Sequence, residues 1–488
     1  MSAAVALVVA AALAGCGKTT YFAGRVLPPS GLANRVLIAV QNPSASGGGA
    51  LGFVDAYYDI RYKYNSTDTA PAFSIAGYPG SLPISIQNMP EEQEGAIYGS
   101  GDGSYTLVNY ATESVPSKGG TVSGLNGTSS SIFISRSLSV VVAANQSTHV
   151  LTVVNAATAG SFPFNLPGVY RVSMNPGGSM ALAFVQNSNY IYYLRQLTSA
   201  QTIAFSGGPS SWPTAAVDCE PYNEPGWCLF QAQSPDHTDA TGNYYGAPLT
   251  FDRPVKAVFS ADGGTAYILN CGPECGGTTA SVSSMPVAPM IFLVGQQSGT
   301  LPTQSALNGN TIAIPGGASN ALVDSSTMYV VGQQPQQVQG QTLFAGKLTV
   351  VTLPAGSATV MTAAAPISIS DGAPGAVSRM IEADDNTLWI GMTKCTNGVR
   401  AAKGLPYGCL TMVNTSTNTA TLLPYIGDAT GIAAVTGLHK VYTAEGGQVY
   451  IYSTVDGSAK DNQYVTVTGT AYDVAYMDGL TDANNTVY

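Results

Sequence analysis

The cysteines are the residues whose spacing says most about chemistry. There are seven in the chain. Six fall into close pairs: Cys219 with Cys228, Cys271 with Cys275, and Cys395 with Cys409. Six cysteines allow fifteen connectivities, and this clustering favours three sequence-local disulfides. Such bonds persist in oxidising compartments. Cys271 and Cys275 also have the close spacing of metal ligands. No histidine or second thiol pair lies near them in sequence, which disfavours a metal centre. Cys16 is the one left over, and an odd cysteine in a secreted chain calls for its own explanation.

The next candidates sit together between residues 199 and 252. Trp212, Tyr222, Trp227, His237, Tyr244 and Tyr245 lie there beside Glu220, Glu224, Asp236 and Asp239. Aromatic rings next to carboxylates suit a glycan or a peptide, offering an apolar face and hydrogen-bond acceptors. The competing reading is a small satellite core under a loop. His149, His237 and His439 are far apart in sequence. No nucleophile elbow, zinc-protease motif, phosphate loop or haem-attachment motif occurs. Two carboxylates on strand patterns, Glu382 and Asp473, are candidates for lining a channel and holding calcium or another divalent cation. No catalytic set emerges, so an enzyme is the less favoured class.

Composition narrows the setting. Of 488 residues 9% are charged and 45% apolar, with a formal charge of −10. A typical soluble domain has about 25% charged residues, so the surface here is made polar by Ser, Thr, Asn, Gln and Gly. No run of Lys or Arg exists from which to build a groove tracking phosphates, which excludes nucleic acid as a partner. No stretch of 18 apolar residues occurs, so no membrane-spanning helix is expected.

Residues 3–13 form an apolar run that ends in Leu13-Ala14-Gly15-Cys16. The run is too short to span a bilayer and has the length of a signal-peptide core. Its end resembles the lipobox of bacterial lipoproteins. The resemblance implies cleavage before Cys16, acylation of its thiol and amine, and a lipid anchor in the outer membrane or at the cell surface. It departs from the pattern in lacking a Lys or Arg before the apolar run. The expected organisation is a signal peptide over 1–15, a tether over 16–30 and a single domain over 31–488.

The elements that must position these residues are strands, and they repeat. Val255–Phe259 and Thr265–Asn270 alternate around Asp262-Gly263, a tight-hairpin signal. The same scheme recurs, with first strands beginning near 82, 131, 170, 255, 319, 377 and 430. With insertions, this is the roughly 40–50-residue period of propeller blades. Ala471–Met477 reads as a first strand with no blade after it. Arg35–Val40 and Leu51–Asp55 read as second and third strands with none before them. Joining them in one blade closes the ring and removes its exposed edges. The expectation is an all-β propeller of eight blades, seven being the alternative, with an insertion at about 199–252.

The hairpin pattern is similar to YVTN-type β-propeller repeats of bacterial extracytoplasmic proteins. That resemblance implies architecture rather than chemistry. It further implies that second-to-third-strand loops and blade-to-blade loops share one face, which would bring all three cysteine pairs together. The favoured function is a binding scaffold on a membrane anchor, with a protein, peptide or glycan partner. The alternative is a metal-dependent, lactonase-like hydrolase working in the central channel.

Overall fold

Hairpins form where alternating strands meet a polar turn that closes on itself. Pro254–Phe259 passes into Thr265–Asn270 through Gly263 at φ +69°, a left-handed conformation that costs glycine nothing. Asp262 Oδ1 accepts the Gly264 N–H and Ser260 Oγ accepts the Thr265 N–H, both at 2.9 Å. The same device joins Val169–Met174 to Met180–Val185, where Asn175 Oδ1 accepts the Met180 N–H at 2.9 Å.

The computed structural model describes residues 27–477 except 45–46, 63–71, 80, 89–92, 117–120, 123–124, 126–128, 130, 136–138, 156–159, 222–224, 241, 292–299, 355–359 and 374–375. These hairpins build eight sheets around a ring, an eight-bladed β-propeller. Blade 1 is the closing blade: Thr470–Tyr476 pairs with Arg35–Gln41, which pairs with Gly49–Asp55. Blades 2, 3, 5, 6, 7 and 8 begin with Pro83–Asn88, Ser131–Ile134, Pro254–Phe259, Asn320–Asp324, Val377–Ala383 and Ala429–Val435. Blade 4 begins with Val169–Met174. Each start lies within a residue of the position read from the repeat. Cys16 and the apolar run before it lie outside the described residues.

The core is a series of layers between neighbouring sheets. Val36, Ile38 and Val474 of the closing blade pack with Ala433, Tyr442 and Ile451 of blade 8, all at most 1% exposed. Fully burying an aliphatic side chain contributes about 1.5–3 kcal/mol. The seam between the two chain ends is therefore held by packing as well as by its strand ladder. No helix among the described residues is long and apolar enough to cross a membrane.

Segment 199–252 departs from the expectation of a simple insertion between blades. Trp227–Gln231 pairs with Ile191–Gln196 as the fourth strand of blade 4, and Ala216–Glu220 adds a fifth outside it. Cys228, Leu229 and Phe230 are at most 1% exposed. Two strands of this segment are therefore blade, and removing residues 207–248 would strip both from the ring.

Candidate functional site

In a propeller the turns between strands 1 and 2 leave one end of the ring, and the 2–3 and blade-to-blade connections leave the other, here called the upper face. Three adjacent blades elaborate it. Blade 5 carries the Cys271–Cys275 disulfide in its 2–3 loop, and blade 7 carries Cys395–Cys409. Between them, blade 6 extends its second and third strands, Thr327–Val338 and Gln341–Thr352, into a long hairpin that rises above the ring. Its turn, Gln339-Gly340, has φ +51° and +79°, the two positive values a twist-matched hairpin turn requires.

These three elements are fastened to one another. The Gln333 N–H donates to Glu274 Oε2 at 3.0 Å, tying the hairpin to the blade 5 loop. Phe344 forms a parallel bridge with Gly398 in the blade 7 loop. Asp371, fully buried, accepts the Gly346 N–H at 3.1 Å and also the Arg400 N–H. Gly398 is required there, because a Cβ would fall 1.9 Å from Asp371 Cβ. Farther round, Asp252 accepts the Thr278 and Thr279 N–H groups at 2.9 and 2.6 Å. Lys394 N–H donates to Asp428 at 2.7 Å. The result is a continuous raised wall along the upper face from blade 5 to blade 7.

The third disulfide, Cys219–Cys228, is formed but lies at the opposite end. Cys228 sits opposite Arg195, and Arg195 opposite Met180, beside the 1–2 turn of blade 4. The expectation that all three cysteine pairs share one face is therefore corrected. The aromatic candidates also divide. Trp227 is 2% exposed and belongs to the core. Trp212 donates its indole N–H to the Phe205 carbonyl at 3.1 Å and packs on the neighbouring core layer. His237 and Tyr245 face each other on a short hairpin, ring centroids 5.3 Å apart, with Tyr244 exposed beside them. Tyr222 and Glu224 lie outside the described residues.

The channel walls are the first strands, which cannot pair with one another, so side chains satisfy their backbone groups. Gln87 receives the Ile134 N–H at 3.0 Å and donates to its carbonyl at 2.7 Å. Ser131 Oγ accepts the Val172 N–H at 3.2 Å, Ser173 Oγ the Ala257 N–H at 3.1 Å, and Asp473 Oδ2 the Ile86 N–H at 2.7 Å. Each contact links one blade to the next.

Six of the first strands share a further feature among the described residues. Their register shifts one step below the upper end, between Pro83 and Ser85, Val169 and Arg171, Pro254 and Lys256, Val377 and Arg379, and Ala429 and Gly431. On the closing strand the shift skips Tyr472, before Asp473. Bulges of this kind re-aim side chains and cluster near functional sites. The residues that follow them, Ser85, Arg171, Lys256, Arg379, Gly431 and Asp473, occupy one equivalent level of the ring.

Three of those six residues are cations and one, Asp473, is an anion. Arg379 reaches Asp473 at 2.7 Å, and Gly431 between them leaves room, since a Cβ there would lie 2.3 Å from Asp473 Oδ1. Burial pushes the Asp473 carboxyl up to about 6, with Arg379 pulling the other way. Lys256 Nζ donates to Asn320 Oδ1 at 2.7 Å. Burial, with Arg171 and Arg379 nearby, pulls Lys256 down to about 7. Glu382 is pushed up to about 7, by burial and then by Asp324.

The two carboxylates considered for a divalent cation do not converge: Asp473 is bound by Arg379 and backbone N–H groups, while Glu382 has Asp324 as its charged neighbour. Among the described residues no group of three or more His, Cys, Asp or Glu side chains is placed to hold a metal. The histidines remain dispersed, with His149 accepting the Gly168 N–H at 3.2 Å and His439 paired with Asp385 at 2.9 Å. At the upper mouth of the channel, Arg171, Arg253, Glu274 and Ser319 help line a cavity of about 230 Å³. The sequence reading missed this cationic level. Its signal was a cation at the third position of an otherwise strand-like run, at Arg171, Lys256 and Arg379.

No protein-family model matches the chain, and no curated protein matches it in sequence. Solved structures are similar in architecture. Hydrazine synthase from Kuenenia stuttgartiensis is 14% identical, covering 81% of this chain and 99% of its own, with a TM-score of 0.45. A Bacteroides fragilis protein described as a candidate 6-phosphogluconolactonase is 9% identical, covering 91% and 97%, with a TM-score of 0.44. A β-propeller domain from Myceliophteria thermophila is 8% identical, covering 76% and 96%, with a TM-score of 0.42.

Proposed function

We propose that the protein is an extracytoplasmic binding scaffold, anchored through lipid on Cys16, whose protein, peptide or glycan partner docks on the raised upper wall. The observation that carries this reading is the fusion of three neighbouring 2–3 connections into one braced surface. Single long loops are common on propellers. Three that are pinned to one another by Glu274, Asp371 and a strand bridge form a preorganised surface, which loses little conformational freedom on binding. The position of the first strand bears on the orientation such an anchor would give. Met477 N–H donates to the Arg35 carbonyl at 2.9 Å, so the first strand of the chain starts at the lower end. A tether over 16–30 leading to that end would turn the wall away from the membrane.

A photocrosslinking residue at Gln337, on the hairpin, tests the docking surface against one at Asp456, on a lower turn. In the cells that make the protein, Gln337 is expected to give a discrete adduct and Asp456 none. Equal adducts, or none from Gln337, would end the proposal. The anchor is tested separately. Cys16→Ser is expected to move the protein from the detergent phase to the aqueous phase, and unchanged partition would remove lipidation from the reading.

A further inference from the structure

We propose that the upper channel and the cavity beside it bind a small, multiply charged anion of the carboxylate or phosphate class, held by Arg171 and Lys256 with Arg253 and Arg379 flanking them. This rests on the channel and not on the wall, and it stands if the docking reading fails.

The first observation is convergence. The chain has only 18 Lys and Arg in 488 residues and a net charge of −10. Yet Arg171, Lys256 and Arg379 occupy the same rung of three different first strands, each directly after a bulge. The hydrogen bond between Ser173 Oγ and Ala257 N–H sets Arg171 and Lys256 at neighbouring heights on adjoining blades. Arg253 precedes the blade 5 strand and shares the cavity with Arg171.

The second observation is incomplete compensation. Among the described residues, Arg379 is the one of these four cations with an ion-pair partner, Asp473. Lys256 is met by the neutral amide of Asn320. Arg253 donates to the Asn187 carbonyl. Arg171 has no carboxylate or carbonyl acceptor among the described residues; its guanidinium carbon lies 5.4 Å from the centre of the Tyr170 ring. Glu274, whose Oε2 accepts the Gln333 N–H, brings one negative charge to the same cavity against the two positive charges of Arg171 and Arg253. Like charges gathered in a partly desolvated site disfavour the charged folded state. An anion with clustered oxygens relieves that repulsion, and a guanidinium grips such oxygens in pairs.

The third observation is size. A cavity of about 230 Å³ falls below the roughly 300–1,000 Å³ of sites for drug-sized ligands, which points to a small molecule. Ser188, Asn187 and Ser319 add hydroxyl and amide groups for its uncharged parts.

The full chain in non-ionic detergent is titrated calorimetrically with citrate and, separately, with pyrophosphate, at constant ionic strength. Glycerol is the uncharged control. One or both anions are expected to bind saturably, and the comparison assigns the carboxylate or phosphate class. Arg171→Gln and Lys256→Gln are each expected to weaken binding at least tenfold while melting as cooperatively as the parent. Arg171→Lys, which keeps the charge but loses the fork, is expected to lie between. Should Arg171→Gln fail to fold, Lys256→Gln and Arg253→Gln carry the test. Shortening the hairpin by residues 335–344 is expected to leave anion affinity unchanged. No saturable binding of either anion, or affinity unchanged in the folded charge-removing variants, would overturn the proposal.

Discussion

Asp473→Ala is expected to destabilise the ring by about 3–5 kcal/mol, the usual cost of removing one partner of a buried ion pair. Asp473 is fully buried and satisfies groups from three places at once. It accepts the Ile86 N–H of blade 2 at 2.7 Å, its own strand's Val474 N–H at 2.9 Å, and Arg379 of blade 7 at 2.7 Å. It sits on the C-terminal strand that closes the ring. Alanine leaves the Ile86 N–H without its acceptor and the Arg379 guanidinium, on a side chain 11% exposed, without its counter-charge. Asp473→Asn keeps an acceptor and is expected to cost less. Arg379→Met combined with Asp473→Ala is expected to cost less than the two single changes added together, because the stranded charge is gone. Chemical denaturation followed by fluorescence reads all four. An alanine variant as stable as the parent would show that packing alone latches the ring. The carboxyl's raised value fixes the sign of its pH dependence. Its contribution is fully present below the ordinary 3.8 and is lost as pH rises through about 6. Asp473→Asn should flatten that part of the stability profile.

Lys256→Met is expected to raise the melting temperature at neutral pH and to remove a pH dependence of opposite sign. Burial, then Arg171 and Arg379, pull the lysine from 10.5 down to about 7. Between those values the unfolded chain holds a proton that the folded chain has released. Stability therefore rises as pH climbs from about 7 towards 10.5. Methionine fills nearly the same space without a charge. Since Lys256 is only partly buried, solvent screens part of the repulsion, and the gain at pH 6–7 should be about 1–2 kcal/mol. Melting curves from pH 6 to 9.5 should converge for parent and variant at the alkaline end and separate at the acid end. Parallel curves would mean that Lys256 is not strained in the folded ring. Glu382 and Glu445, both pushed up to about 7, act in the opposite direction, so the difference between the two proteins is the quantity to read.

The same variants separate stability from binding. If the cationic level serves a ligand, Lys256→Met gains stability while losing anion affinity. Proteins commonly hold such unfavourable groups where function needs them.

The sequence by itself determined the parts of this protein whose physics is local. Hairpins such as Val255–Phe259 with Thr265–Asn270 follow from alternation and an Asp-Gly turn within a dozen residues. The cysteine pairs follow from separations of 9, 4 and 14 residues. The closing blade was legible because strands 35–41, 49–55 and 470–476 each lacked the partners that a complete blade would supply. The blade 6 hairpin was not legible. Its Gln-rich run, from Gln333 to Gln341, has few apolar residues to mark a buried face, so its strands extend by backbone pairing and by contact with loops from blades 5 and 7. Tertiary structure also decided the face on which Cys219–Cys228 lies, because that depends on Trp227–Gln231 joining blade 4 as its fourth strand. It decided the charge of the channel as well. Arg171, Lys256, Arg379 and Asp473 are scattered over some three hundred residues and become neighbours only when the ring closes. Each sits on a strand whose own pattern is satisfied without reference to the others, so no local signal couples them.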